Sequence, residues 1–403
     1  MATSNSGRIA VCAVLMLAVG AIPPASPHSV LWTAPSILAA AMLIAWAAES
    51  AQFFIAQGFA LAILAWLQTL PEFAVEAVLA WQRQVPLLMA NLTGALRLLT
   101  GLGWPMIYAT AAFFHRRRHG VPLVQIRLRP EQSVEVIGLL ASMAWVAVVA
   151  AKRSLNLWDA AILIMVYAVY LGLLQRMPSE DAESIDELET VPRAIVTAPK
   201  GARIAAITGL FLVGGGLIYF MAEPFLASLL ALSVVVGIPN FVFIQWVAPF
   251  VSEFPEKVSA FYWARTVERA PMALMNMVSS NINQWTLLAA MLPIVYSLSM
   301  GAPSAIPMDR EHQLELLMTL GQSLVGALLL VKMRLVWWEA AGLFVLWAVQ
   351  FALSPAGVGR PFFVGAYFGW AAAETVRMVG RPDRTEAFRQ FGSMWKSHLK
   401  PVR

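Results

Sequence analysis

The 403 residues include one cysteine, Cys12, which rules out a disulfide framework and a Cys-based metal site. Charge is scarce as well. Only 13% of the residues are Asp, Glu, Lys or Arg, whereas a soluble domain carries roughly 25%. Hydrophobic residues make up 59% and the mean hydropathy is +0.69, so water is not the main solvent. HExxH, GxSxG, a paired-Asp motif and a GxxxxGK(S/T) phosphate loop are all missing, and no enzyme is expected. His115, His119 and His312 lack metal-ligand spacing. The net charge of +5 comes from scattered Lys and Arg with no aromatic-interleaved patch, so no nucleic-acid partner is expected.

What fills the chain instead is apolar runs near the ~20 residues that cross a bilayer. They are read, approximately, at Ile9 to Ile22, Val30 to Ala48, Phe54 to Trp81, Pro86 to Phe113, Val134 to Ala151 and Leu157 to Leu174. The remainder are one long span from Ile204 to Val236, loosened at Gly214, Gly215, Gly216 and Pro224, then Phe241 to Trp263, Met272 to Leu298, Leu314 to Val331, Val336 to Leu353 and Phe362 to Met378. An all-α polytopic membrane protein of about twelve transmembrane helices is expected, with the lipid bilayer as its partner. Arg8, the short apolar stretch after it and the small residues near Ala25 also read as a cleaved signal peptide. Its removal would leave the orientation of everything downstream unchanged.

Orientation follows from the basic loops. With a cytoplasmic N-terminus, one side receives Arg8, Arg116 to Arg118, Arg127, Arg129, Arg176, Arg193, Lys200, Arg203, Arg265, Arg269, Lys332, Arg334 and the tail from Arg377 to Arg403. The other keeps only Arg83, Lys152, Arg153, Arg310 and Arg360. Both termini are thus expected to be cytoplasmic, in a bacterial inner membrane. Arg97 and Lys257 remain inside spans, and helical spacing leads us to expect each to snorkel or pair locally. The acidic stretch from Pro178 to Thr190 divides the chain near its middle, as a solvated hinge or an ion-sensing loop.

The two halves repeat one constellation. AWLQTLPEFAVEAVLAW is followed, about twenty residues on, by LLMANLTGALRLL, and APFVSEFPEKVSAFYWA by ALMNMVSSNINQW. Glu72 and Glu256 each directly follow a proline, Pro71 or Pro255, inside an apolar run. A carboxylate in hydrocarbon costs at least ~2.5 kcal/mol, which marks it as functional. A proline there frees carbonyl oxygens beside the carboxylate, and hard cations favour oxygen ligands. The bland alternative makes each Pro-Glu a helix end near the interface. Glu76, one turn beyond Glu72, is expected to widen an ion path or to raise its neighbour's pKa.

At these residues the sequence resembles the sodium/calcium exchanger membrane region of the cation/Ca2+ exchanger superfamily, whose repeats read approximately GTSLPE followed by GNxxGSNIxN or GNxxGSNIxD. QTLPE, ending at Glu72, and SEFPE, ending at Glu256, stand for the first motif of each repeat; ANLTGALRLL, with Asn91 and Gly94, and MNMVSSNINQ, with Asn276, Ser280 and Asn281, stand for the second. The resemblance implies two inverted five-helix repeats plus an extra helix at each end. Residues 1–28 would be the extra N-terminal helix or signal peptide, 29–176 the first half, 177–203 an acidic cytoplasmic linker, 204–354 the second half, and 355–403 the extra C-terminal helix and basic tail.

The function it implies is secondary active cation antiport by alternating access. Ca2+ or another cation would exchange for Na+ or H+ at a paired-glutamate site at the bilayer midplane, the ions being substrates and not cofactors. Glu72 and Glu256 would be the central ligands, with Thr69, Gln68, Asn91, Ser252, Asn276, Ser280 and Gln284 around them. The chain departs from the family pattern where Ala95 and Leu99 replace a serine and an asparagine, Gln284 stands for Asn or Asp, and Gln68 and Glu253 replace hydroxyl residues. A non-transporting sensor or scaffold is the alternative those departures leave open.

Overall fold

Proline and polar residues decide where the apolar runs become whole helices and where they break. The computed structural model describes residues 26–54, 66–67, 69–177, 185, 188–353 and 359–399. The run from Ile9 to Ile22 with its signal-peptide alternative, Gln68, and most of the acidic stretch lie outside the described residues. In chain order the helices are α1 (Val30–Ala51), α2 (Leu70–Trp81), α3 (Val85–Leu98), α4 (Trp104–His119), α5 (Ser133–Lys152), α6 (Leu157–Leu174), α7 (Thr190–Val196) and α8 (Lys200–Val236). Then follow α9 (Asn240–Ser252), α10 (Phe254–Arg265), α11 (Ala270–Asn283), α12 (Ala289–Met300), α13 (Arg310–Leu330), α14 (Trp337–Leu353), α15 (Arg360–Met378) and α16 (Glu386–Met394).

Among the described residues, six helical stretches are long and apolar enough to cross a membrane: Pro27–Ala51, Val85–His119, Pro130–Lys152, Leu157–Leu174, Lys200–Val236 and Arg310–Leu330. Asn240–Ser252 and Trp337–Leu353 are apolar but shorter. The run from Ile204 to Val236 is one helix, continuous through Pro224. The run from Phe241 to Trp263 is two, interrupted at Glu253.

Contacts divide the chain into two units. The first takes Met1–Val78 and Ser179–Glu256. Its core is the antiparallel pair α1 and α8. Thr33 Oγ1 lies 2.8 Å from Ser228 Oγ at one end, while the Arg203 guanidinium stacks 3.8 Å over the Phe54 ring at the other. Ala40, Leu43 and Ile44 meet Leu217 and Ile218 between them. The close approach depends on Gly214, where a Cβ would stand 2.8 Å from Ile44 Cγ1 and 3.0 Å from the Ala40 carbonyl. Leu70 and Ala74 of α2 pack on the same cluster.

The second unit takes Leu79–Pro178 and Lys257–Arg403. Two short antiparallel sheets stitch the halves of the chain together within it. Strand β1 (Gln125–Arg127) pairs with β4 (Arg334–Val336), and β2 (Ser154–Leu155) with β3 (Ile306–Pro307). One constant offset carries β1 onto β3 and β2 onto β4, so each sheet is the repeat image of the other.

The same offset relates the turns after α5 and α13. Arg153 and Met333 both have φ of 56°. Lys152 pairs with Asp159 at 2.5 Å, and Lys332 pairs with Glu339. Each acid also accepts the backbone N–H that opens the next helix, Asn156 N at 2.8 Å for Asp159 and Val336 N at 3.2 Å for Glu339. Burial lowers the Lys332 ammonium from the ordinary lysine value, and the Glu339 carboxylate opposes that shift.

Candidate ion site

Both Pro-Glu dipeptides open a helix. Glu72 stands in the first turn of α2 and Glu256 in the first turn of α10. This revises the expectation of proline inside a helix, because a first-turn proline has no intrahelical bond to lose. The chain breaks just before it, at Thr69 and at Glu253. The Thr69 carbonyl is occupied, accepting Glu72 N and Phe73 N at 3.1 Å each, and the Thr69 hydroxyl donates to the Trp66 carbonyl at 2.8 Å. The Ser252 hydroxyl donates to the Ala248 carbonyl at 3.0 Å.

A helix start near the interface would leave these acids wet, yet Glu72 and Glu256 are each 1% exposed. Their cost is offset in part by the helix N-terminus, whose partial positive charge favours a carboxylate. Leu70 and Ala74 face the α1–α8 cluster. Glu72 lies two residues from each, about 200° around the helix, and so points away from that cluster together with Glu76, one turn on. Glu76, Thr69, Ser252 and Glu253 are buried as well. Thr69, Glu72, Glu76, Ser252, Glu253 and Glu256 all belong to the first unit.

The neutral candidates belong to the second unit. Asn91 stands on α3; Asn276 and Ser280 stand on α11, which ends where Gln284 begins. All four are buried, and Ser280 Oγ has no hydrogen-bond partner among the described residues. Asn276, Ser280 and Gln284 are spaced by four and share one helix face, as do Asn91, Ala95 and Leu99.

Both lines end at one backbone feature that the sequence did not announce. A single π turn, Leu99–Gly103, joins α3 to α4, and another, Gln284–Leu288, joins α11 to α12. Such turns widen a helix and recur at functional sites. The first is packed so tightly that a Cβ on Gly101 would stand 2.3 Å from Trp347 Cγ. Thr100 Oγ1 reaches Asn281 Oδ1 at 3.4 Å, joining the two helix pairs directly.

Arg97 does not snorkel, and it pairs with a residue far along the chain. It is fully buried and its guanidinium lies 2.8 Å from Glu315 of α13, whose carboxylate also takes Arg360 Nε at 2.6 Å. Gln322 Nε2 donates to the Arg97 carbonyl at 3.0 Å. The sequence signal for this partner was weak: Glu315 is the second residue of the apolar run from Leu314 to Val331. Lys257 is buried at the unit boundary. Glu374 of α15 pairs with Arg377 at 2.6 Å.

The predicted donors are carboxylate, hydroxyl and amide oxygens, those of the first unit at buried helix starts and those of the second on π-turn helices, with no thiolate or imidazole among them. Oxygen-only donors suit hard cations such as Ca2+, Na+ and Mg2+. Oxygen donors buried among membrane-spanning helices are what a transporter of inorganic cations requires. Residues 29–175 and 206–354 match the sodium/calcium exchanger protein family, and the chain belongs to that family.

Among solved structures the chain is similar to the H+/Ca2+ exchanger CAX, with 28% identity over 99% of this chain and 100% of that one and a TM-score of 0.85. It shares its fold with the sodium-calcium exchanger NCX_Mj, at 16% identity over 81% and 97% of the two chains and a TM-score of 0.53. The same holds for YfkE, at 13% identity over 85% and 97% and a TM-score of 0.58. No curated protein matches the chain.

Proposed function

We propose that this protein is a secondary active antiporter working by alternating access, in which Ca2+ or a similar hard cation exchanges for protons or Na+ at carboxylates supplied by Glu72 and Glu256. The observation that carries the reading is the pair itself: two glutamates in corresponding motifs, each the second residue of a Pro-Glu that opens a helix, and each buried to 1% exposure. A carboxylate so withdrawn from water favours whatever neutralises it, a cation or a proton. Competition between the two for the same oxygens is antiport. Protons are the favoured counter-ion, because the similarity that runs the full length of both chains is to an H+/Ca2+ exchanger. Asn91, Asn276, Ser280 and Gln284 supply neutral oxygens, Thr69 and Ser252 offer hydroxyls, and Gln68 completes the set. A bacterial inner membrane with both termini cytoplasmic is the setting that the basic loops support.

A second reading, an exchanger-like sensor or scaffold that does not transport, draws on Ala95 and Leu99, which place methyl and isobutyl groups where a hydroxyl and an amide would donate oxygen. Flux in proteoliposomes separates the two. Ca2+ uptake driven by an imposed pH gradient is expected in the parent protein, and Glu72→Gln and Glu256→Gln should each abolish it. Absence of flux for every cation and gradient tried, or equal flux with and without the substitutions, would overturn the antiporter assignment.

A further inference from the structure

Glu72 and Glu256 open helices whose far ends are held in a matching way. Trp81 ends α2 and Arg265 ends α10, each nine residues beyond its glutamate, and both ends belong to the second unit. The Trp81 carbonyl accepts the Ser299 hydroxyl at 2.6 Å, and the Arg265 carbonyl accepts Arg118 Nη2 at 3.1 Å. Ser299 and Arg118 are repeat images of one another. Each stands two residues before the left-handed glycine that closes its helix, Gly301 at φ 72° after α12 and Gly120 at φ 73° after α4. Since α12 and α4 are also the helices that leave the two π turns, the acid-bearing helix of each repeat is tied to the π-turn helix of the other.

The turns just past these ends are strained at corresponding positions. Arg83 has φ of 59° and Val267 φ of 70°. A β-branched residue is an outlier there and persists only where its surroundings hold it. In both turns a guanidinium does the holding. Arg83, on the first turn itself, donates Nε to Ser299 Oγ at 3.0 Å and Nη2 to the Ser299 carbonyl at 2.5 Å. Arg118, on α4, adds a bond from Nη1 to the Thr266 carbonyl at 2.8 Å and lies 3.6 Å from Glu268. A cation at that end of α10 satisfies carbonyls that the helix leaves open. One repeat supplies the arginine from the turn and the other from the helix it meets, so the attachment recurs although its chemistry has been exchanged.

We infer that Arg83 and Arg118 are positioning residues for the two ion-binding glutamates, each fixing the far end of the helix whose first turn presents Glu72 or Glu256. Nine residues of helix span about 13 Å, and a rigid helix carries slack at its end through to its start. An arginine offers no donor oxygen to a cation, so both act through the backbone they hold. The inference rests on the reading of Glu72 and Glu256 as cation ligands.

Initial rates of Ca2+ uptake under a pH gradient in proteoliposomes are measured against Ca2+ concentration for the parent, Arg83→Met, Arg118→Met and Arg117→Met, the last an exposed neighbour outside the arrangement. Misplaced ligands weaken affinity, whereas loss of folded protein lowers the maximal rate and leaves half-saturation where it was. Half-saturation is expected to rise about tenfold in Arg83→Met and in Arg118→Met, the low end of what removal of a supporting contact costs a metal site. The maximal rate should be retained, and Arg117→Met should match the parent. Should Arg118→Met not fold, Ser299→Ala, which frees the Trp81 carbonyl, carries the same arm. Unchanged half-saturation in either variant, a fall in maximal rate alone, or an equal rise in Arg117→Met overturns the inference. A parent without uptake refutes the antiporter reading instead; equilibrium binding of radioactive Ca2+ to the same proteins then tests the two arginines by the same shift, and a parent that binds no Ca2+ overturns their role as well.

Discussion

Residues 85–103 and 270–288 build one backbone twice and dress it differently. Each is an apolar helix with a buried asparagine near its start and a π turn beginning eight residues after that asparagine. Along the shared face the first copy presents Asn91, Ala95 and Leu99, the second Asn276, Ser280 and Gln284. The first closes against a tryptophan through Gly101 and the second carries its own buried Trp285. Helix placement and the π turn thus survive the loss of polar side chains, because they rest on packing. Oxygen donors are a separate layer that one half has shed. The turns after α5 and α13 tell the same story with charge: same left-handed residue, same Lys-to-acid pair, but the Lys152 side chain is 32% exposed and that of Lys332 only 9%.

The largest expected effect comes from these turns. Lys332→Met strands Glu339 in the interior, and loss of one partner from a buried pair costs about 3 to 5 kcal/mol. Lys152→Met should cost less, since its ammonium is a third exposed and Asp159 keeps Trp145 Nε1 and Asn156 N as donors. Thermal unfolding in detergent reads both, and equal losses would mean that the two turns are energetically alike. Next in size, Ser280→Ala with Gln284→Leu makes the second half as poor in oxygen as the first. Uptake at low Ca2+ is expected to fall about tenfold or more, since ligand count sets cation affinity, while an unchanged concentration dependence would remove both residues from the site. The smallest concerns the start of α6. Asn156 caps it by accepting Trp158 N at 3.0 Å and Asp159 N at 3.1 Å, a bond that Val336 cannot make at the start of α14. Asn156→Val should cost about 1 kcal/mol, and a denaturation midpoint indistinguishable from the parent would show the cap to be idle.

The repeated Pro-Glu and the spans it interrupts were legible because burial of charge and a helix-breaking residue coincide in the sequence itself. The second asparagine line was legible as polar residues spaced by four inside an apolar run, Asn276, Ser280 and Gln284, while the first offered Asn91 alone. What was not legible depends on tertiary partners. A π turn has no periodicity of its own, and Leu99–Gly103 reads as continuing helix until Trp347 presses on Gly101. Arg97 gave no hint of Glu315, because spacing fixes a helix face and not which helix lies opposite. The strands are too short, two or three residues, for alternation to register. The recurrence of Lys152 and Asp159 as Lys332 and Glu339 was present in the sequence, and a search at fixed offset would have found it.

Gln125 has its ladder partner at Val336, and Leu155 has its own at Ile306. During synthesis the early strap must therefore wait, unclasped, until nearly the whole chain has left the ribosome, and only the last spans to insert can fasten it. Once fastened, the covalent tether between the halves becomes dispensable: a protease cutting between Met177 and Lys200 would leave two fragments still buckled to each other.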